Sequence, residues 1–168
     1  TWLIDVFLIP GSAAVFSILL LSQVITLLST YFIWVLTVEI IGKNAGKLAV
    51  ALFLTSPLAS FYALQVNHNT VLTPFFAASL YYGHYYLENR KLSANIGFGI
   101  AFGLGLLAKY EIIFALIPLL TLATIIPRYR SAFLMKKSYI ALLIVILIIS
   151  PHLFWLSQND WPSFKRAV

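Results

Sequence analysis

Gln65-Val66-Asn67-His68-Asn69-Thr70 is the one compact polar break inside a long apolar run, with Lys47 to Leu64 before it and Val71 to Tyr86 after it. Each flank is close to the roughly 20 residues that one bilayer crossing takes. A break this short leaves no room for a domain, so it reads as a hairpin tip between two membrane helices. Its amide and imidazole side chains would be costly in lipid and belong at a membrane surface or in a wet cavity.

Composition supports that reading. Of the 168 residues 61% are hydrophobic and only 10% charged, and the mean hydropathy is +0.95. Soluble domains are about half apolar, so an integral membrane protein is expected. Cysteine is absent, which excludes disulfides and thiolate metal sites within the chain. The net charge of +6 comes from small basic clusters between apolar spans, a pattern of membrane topology rather than of nucleic-acid binding. The chain opens at Thr1 without methionine, basic n-region or cleavage site, and is expected to be part of a longer protein.

Outward from the tip, the expected spans are Ser12 to Ile41, Lys47 to Leu64 with a kink at Ser56-Pro57, Val71 to Tyr86, one from Leu92 up to a turn at Lys109, a following one that ends at Pro127, and Ser138 to Leu156. Gly42 to Lys47 is a turn, Tyr81, Tyr82, His84, Tyr85 and Tyr86 form an aromatic belt, and Lys109-Tyr110-Glu111 breaks the helix. Gly99 and Gly103 in GxxxG spacing are packing positions. The fold class is therefore all-α, a polytopic transmembrane bundle with about six crossings.

Lys43, Lys47, Arg90, Lys91, Arg128, Arg130, Lys136 and Lys137 fall on one side, which the positive-inside rule makes cytoplasmic. Asp5, the Gln65 to Thr70 tip, Lys109 to Glu111, and His152, Gln158, Asn159, Asp160 and Trp161 then collect at the outer face. Lys109 works against the orientation rule there; it can snorkel, pair with Glu111 or hold an anion. His68 and His152 with Glu111 or Asp160 lack metal-ligand spacing, so no metal is expected, and neither a Gly-x-Ser-x-Gly turn nor a glycine-rich phosphate loop is present.

Three of these stretches carry a resemblance. Val66-Asn67-His68-Asn69-Thr70-Val71-Leu72, Leu107-Ala108-Lys109-Tyr110, and Ser150-Pro151-His152-Leu153-Phe154-Trp155-Leu156 with Gln158-Asn159-Asp160-Trp161-Pro162-Ser163-Phe164 resemble successive signatures of bacterial glycosyltransferase family 39, related to protein O-mannosyltransferases and the lipid A aminoarabinose transferase. The third is the most specific. The resemblance implies a GT-C type fold, with residues 1–168 forming part of a single transmembrane glycosyltransferase domain in the bacterial inner membrane. It implies transfer of a hexose or pentose, with inversion, from a polyprenyl-phosphate donor to a lipid, glycan or protein hydroxyl at the periplasmic or extracellular face, with no cofactor.

On that reading Lys109 binds the donor phosphate. Asn67, His68, Asn69, Tyr110, Glu111, His152, Trp155, Asn159, Asp160 and Trp161 bind substrate. The general-base carboxylate is expected ahead of Thr1, so the fragment alone is expected to be inactive; Asp5 lacks the matching context. A transporter or lipid flippase is the competing class.

Overall fold

The computed structural model describes residues 13–57, 59–60 and 66–159, with side chains from residue 16. Asp5, Gln65, Asp160, Trp161, Lys165 and Arg166 lie outside the described residues. Among the described residues the chain is all-helical: α1 (Ala13–Ile40), α2 (Lys43–Thr55), α3 (His68–Asn89), α4 (Leu92–Ala108), a 3-10 turn (Tyr110–Ala115) leading into α5 (Leu116–Ile125), α6 (Pro127–Phe133) and α7 (Ser138–Gln158).

Two helices are long and apolar enough to cross a membrane, Phe16–Ile40 and Ser138–Gln158. Both are exposed along most of their length, with Leu142, Leu143, Ile146 and Leu147 of α7 all uncovered. A helix that is apolar all round and uncovered suits lipid rather than water. The expected Lys47 to Leu64 span is corrected at Ser56-Pro57. There the chain does not kink and continue; α2 ends at Thr55, after 13 residues or about 20 Å. The cause is local: the residue before a proline is pushed out of the α region, and Ser56 is extended at φ −69°, ψ 150°, its amide and hydroxyl both donating to the Phe53 carbonyl.

α4 lies between α3 and α7, and its glycines permit the approach. A Cβ at Gly99 would stand 2.9 Å from the Ala141 carbonyl oxygen, and one at Gly103 would stand 3.0 Å from Ile148, so the GxxxG pair is the α4–α7 seam. Gly97 makes room for the Tyr82 ring of α3. Leu72, Phe102 and Ile112 form one buried cluster and Leu87, Leu119, Tyr129 and Ala132 a second.

The two ends of the bundle differ in charge. Phe32 meets the rings of Tyr81 and Tyr82, which sets the C-terminal half of α1 beside that of α3. Gly42, at φ +124°, then turns the chain into α2, placing Lys43 at that end. Arg90 caps α3 in the left-handed region and reaches Ser131. Arg128 pairs with Glu88 at 3.2 Å, while the Tyr129 hydroxyl donates to the same carboxylate. That bond, followed by burial, raises the Tyr129 phenol above its ordinary pKa. Tyr86 departs from the expected belt: it is buried, with its hydroxyl 2.9 Å from that of Ser138. Lys109 lies at the opposite end, beside the start of α3.

Candidate functional site

The start of α3 is built by a reciprocal cap. Asn67 is extended, and its Oδ1 accepts from the amides of Asn69 (2.9 Å) and Thr70 (3.1 Å), while the Thr70 hydroxyl accepts from the Asn67 amide at 2.9 Å. Two of the amides left without partners at a helix start are thereby satisfied. His68 and Asn69 are left exposed on the first turn. Asn67→Ala is expected to lower stability by about 1 kcal/mol through loss of the cap, measured as a shift in the thermal midpoint; an unchanged midpoint would show that the cap contributes nothing.

Lys109 is presented by a packing device. α4 ends at Ala108, and Lys109 is extended at φ −163°, ψ 134°, so the expected break falls where the polar triplet stands. The 3-10 turn that follows drives Ile112 into the core, where it is fully buried against the space left by Gly105. With Ile112 and Ala115 inside, Lys109 and Glu111 stay at the rim. Lys109 Nζ is 2.8 Å from Glu111 Oε1 and donates to Asn69 Oδ1 at 2.8 Å, and its side chain is 32% exposed.

The adjacent Tyr110 carries the site to α7. Its hydroxyl lies 3.0 Å from His152 Nε2, and the His152 ring stacks on Trp155 at 6.3 Å and 14°. Pro151 sits inside α7 and brings no amide to its turn. The Ser150 hydroxyl donates to the Leu147 carbonyl at 2.9 Å, supplying a partner on the same turn.

Asn69, Lys109 and Glu111 thus form one bonded group, and Tyr110, His152 and Trp155 a second. The Lys109–Tyr110 peptide links them. Asn67 and Asn159 serve helix ends: the Asn159 amide nitrogen donates to the Trp155 carbonyl at 2.8 Å. Among the described residues no three His, Asp or Glu side chains converge as a metal site. The Asn69–Lys109 bond joins positions forty apart and had no signal in local sequence. The Glu88–Arg128–Tyr129 group at the other end was also missed, although an acid in the last turn of one helix facing a basic loop was a usable sign.

Chemically, the Asn69–Lys109–Glu111 group is a cation held by one carboxylate and one amide oxygen. An arriving phosphate would compete with Glu111 for the ammonium.

A family model described as dolichyl-phosphate-mannose-protein mannosyltransferase matches residues 1–155. Two curated proteins of Rhizobium johnstonii (strain DSM 114642 / LMG 32736 / 3841) are similar to the chain. The lipopolysaccharide core galacturonosyltransferase RgtA is 31% identical over 148 residues, 84% of this chain and 29% of that protein. The lipopolysaccharide core galacturonosyltransferase RgtB is 31% identical over 135 residues, 77% of this chain and 27% of that protein. The chain therefore spans less than a third of the length of these relatives. No solved structure matches it. A match over residues 1–155, reaching through the Asn69, Lys109 and His152 stretches, places the chain in the dolichyl-phosphate-mannose-protein mannosyltransferase family of GT-C glycosyltransferases.

Proposed function

We propose that the complete protein is a membrane glycosyltransferase that moves a sugar from a polyprenyl-phosphate donor to a hydroxyl acceptor, with inversion, at the outer face of the bacterial inner membrane. The observation that carries the reading is Lys109, held by Asn69 and Glu111 at the end of the bundle away from the basic cluster. The acceptor oxygen attacks the anomeric carbon as the bond from that carbon to the phosphate oxygen breaks. The electron pair leaves with the polyprenyl phosphate, and the acceptor's proton passes to a carboxylate expected from a segment ahead of Thr1. Lys109 stabilises the charge that grows on the departing phosphate. Asn69 holds the ammonium in place, Tyr110 and His152 contact the sugar or phosphate, and Trp155 offers it an apolar face. Asp160 and Trp161 belong to the same signature and are assigned to the donor side.

Six crossings with the basic end in the cytoplasm fit this reading, because they put the Lys109 end at the outer leaflet where a lipid-linked sugar is presented. The names of the two relatives make galacturonic acid the first sugar to try and lipopolysaccharide core the first acceptor.

The test uses the full-length protein in membrane vesicles with radiolabelled polyprenyl-phosphate-linked galacturonic acid, and the mannose-linked donor in parallel. Label should move to acceptor from one of them. Asn69→Ala removes one hydrogen bond from the cation and is expected to raise the KM for donor about fivefold. No transfer from any polyprenyl-phosphate sugar would sink the proposal, and an unchanged KM would remove the start of α3 from the donor site.

A further inference from the structure

The half of the bundle nearer the basic end carries a groove that the transfer site does not use. It encloses about 340 Å³, within the range of small-molecule sites. Its walls are Phe98 and Phe102 of α4, Leu119 and Leu120 of α5, and Leu142 and Val145 of α7. Leu120 and Leu142 are also exposed, so the groove opens sideways on the uncovered apolar surface of α7.

Three of the polar groups in the wall, on Tyr86, Asn95 and Ser138, are already engaged. The Tyr86 hydroxyl bonds to the Ser138 hydroxyl and the Ala132 carbonyl, and the Asn95 amide donates to the Lys137 carbonyl. Whatever fills the groove therefore meets hydrocarbon over nearly all of the wall, with the Tyr139 hydroxyl at the edge, so hydrocarbon is what it suits. The lip has the opposite character. Leu134 and Tyr139 edge the groove, and between them in the chain stand Lys136 and Lys137, both exposed. The Asn95 bond anchors Lys137 to the groove wall, and no Asp or Glu among the described residues lines the cavity. The nearby acid, Glu88, is matched by Arg128 and Tyr129.

We propose that this groove holds one acyl chain of an anionic glycerophospholipid, with the phosphate of its headgroup on Lys136 and Lys137. Apolar walls under a doubly cationic lip select a hydrocarbon tail joined to a negative head. The sugar donor has the same two parts, but on the reading above its phosphate must reach Lys109 at the far end of α4, about 25 Å away along a 17-residue helix. Its headgroup cannot serve both places. The lipid fixes the loop between α6 and α7 against α4, and so steadies the helix that carries His152.

Native mass spectrometry of the purified full-length protein, given equimolar 1-palmitoyl-2-oleoyl phosphatidylglycerol and phosphatidylcholine, tests this. One phosphatidylglycerol should be retained in preference. Basic contacts at a membrane surface are worth about fivefold each, so Lys136→Gln with Lys137→Gln should weaken phosphatidylglycerol binding about 25-fold and leave phosphatidylcholine unchanged. Leu142→Trp, which fills the groove, should abolish retention, whereas Leu143→Trp, equally exposed on α7 but outside the groove lining, should not. Equal retention of the two lipids overturns the proposal, as does an unaffected double lysine variant. Displacement of phosphatidylglycerol by polyprenyl phosphate would also overturn it, by assigning the groove to the donor. Loss of sugar transfer with lipid retention intact would strike only the transfer reading.

Discussion

Lys109→Ala in the full-length protein is expected to lower turnover with lipid-linked donor by about 10²- to 10³-fold, the scale on which removal of one group stabilising transition-state charge is felt. The KM for donor should change less, because the charge on the phosphate oxygen grows as the bond to the sugar breaks. Lys109→Gln keeps a donor for Asn69 but loses the charge, and should be nearly as slow. Lys109→Arg should recover part of the rate. These variants separate catalysis from architecture: Lys109 is partly exposed and its ion pair with Glu111 spans one turn, so the thermal midpoint should hardly move in any of them. Should all three variants lose stability and rate in proportion, Lys109 is a structural residue, and the leaving-group role is wrong. A second readout comes from Glu111→Gln, which frees the ammonium from its resident carboxylate. If a phosphate must displace Glu111, this variant should bind donor more tightly than the parent; weaker binding would mean that Glu111 aims the lysine.

How far this site could be read from sequence depends on the kind of interaction. The break at Lys109 was legible because three polar residues interrupt an apolar run, and no packing arrangement keeps a helix there without burying a charge. The segregation of Lys43, Arg90, Arg128 and Lys137 from Lys109 was legible for a similar reason, since alternate turns of an up-and-down bundle fall at alternate ends. The end of α2 was not. Ser56-Pro57 reads equally as a kink or as a stop, and the choice is made by whether the following residues find helical partners. Tyr86 was misread as part of a belt because a membrane-surface tyrosine and a buried one have the same composition around them; its hydroxyl is satisfied by Ser138, fifty-two residues on. Among the proposed site residues, the pairings Asn69 with Lys109 and Tyr110 with His152 are tertiary, and no periodicity encodes them. What sequence did supply was the set of candidate residues, because a charged or amide side chain at the tip of an apolar hairpin has few other places to go.

The second large effect is expected at Gly99, on stability. A methyl group there would stand 2.9 Å from the Ala141 carbonyl oxygen, 3.1 Å from Ala141 Cα and 3.0 Å from Ile144 Cβ. Two of those three atoms are backbone, so no rotamer change relieves the contact, and α7 must move as a body. Overpacking of this kind typically costs about 1–3 kcal/mol for a small addition; Gly99→Ala should fall in that range and Gly99→Leu beyond it. Gly103 offers a comparison, because of its three nearest neighbours, all in Ile148, Cδ1 at 3.0 Å and Cγ2 at 3.2 Å can move by rotation and only Cβ at 3.1 Å is fixed to the backbone. Gly103→Ala should therefore cost less than Gly99→Ala, although both glycines belong to one motif. Thermal unfolding in detergent, followed by near-ultraviolet signal, measures all three. The consequence runs beyond stability, since α7 carries His152 to Tyr110 and a shift of that helix pulls the two apart. At temperatures where Gly99→Ala remains folded, sugar transfer should still fall. The double variant Gly99→Ala with Ile144→Ala keeps the clash with the Ala141 carbonyl and also the Cβ of residue 144, so it should recover little. If Gly99→Leu melts with the parent, the α4–α7 seam is looser than the glycine contacts require, and the motif has some role other than close packing.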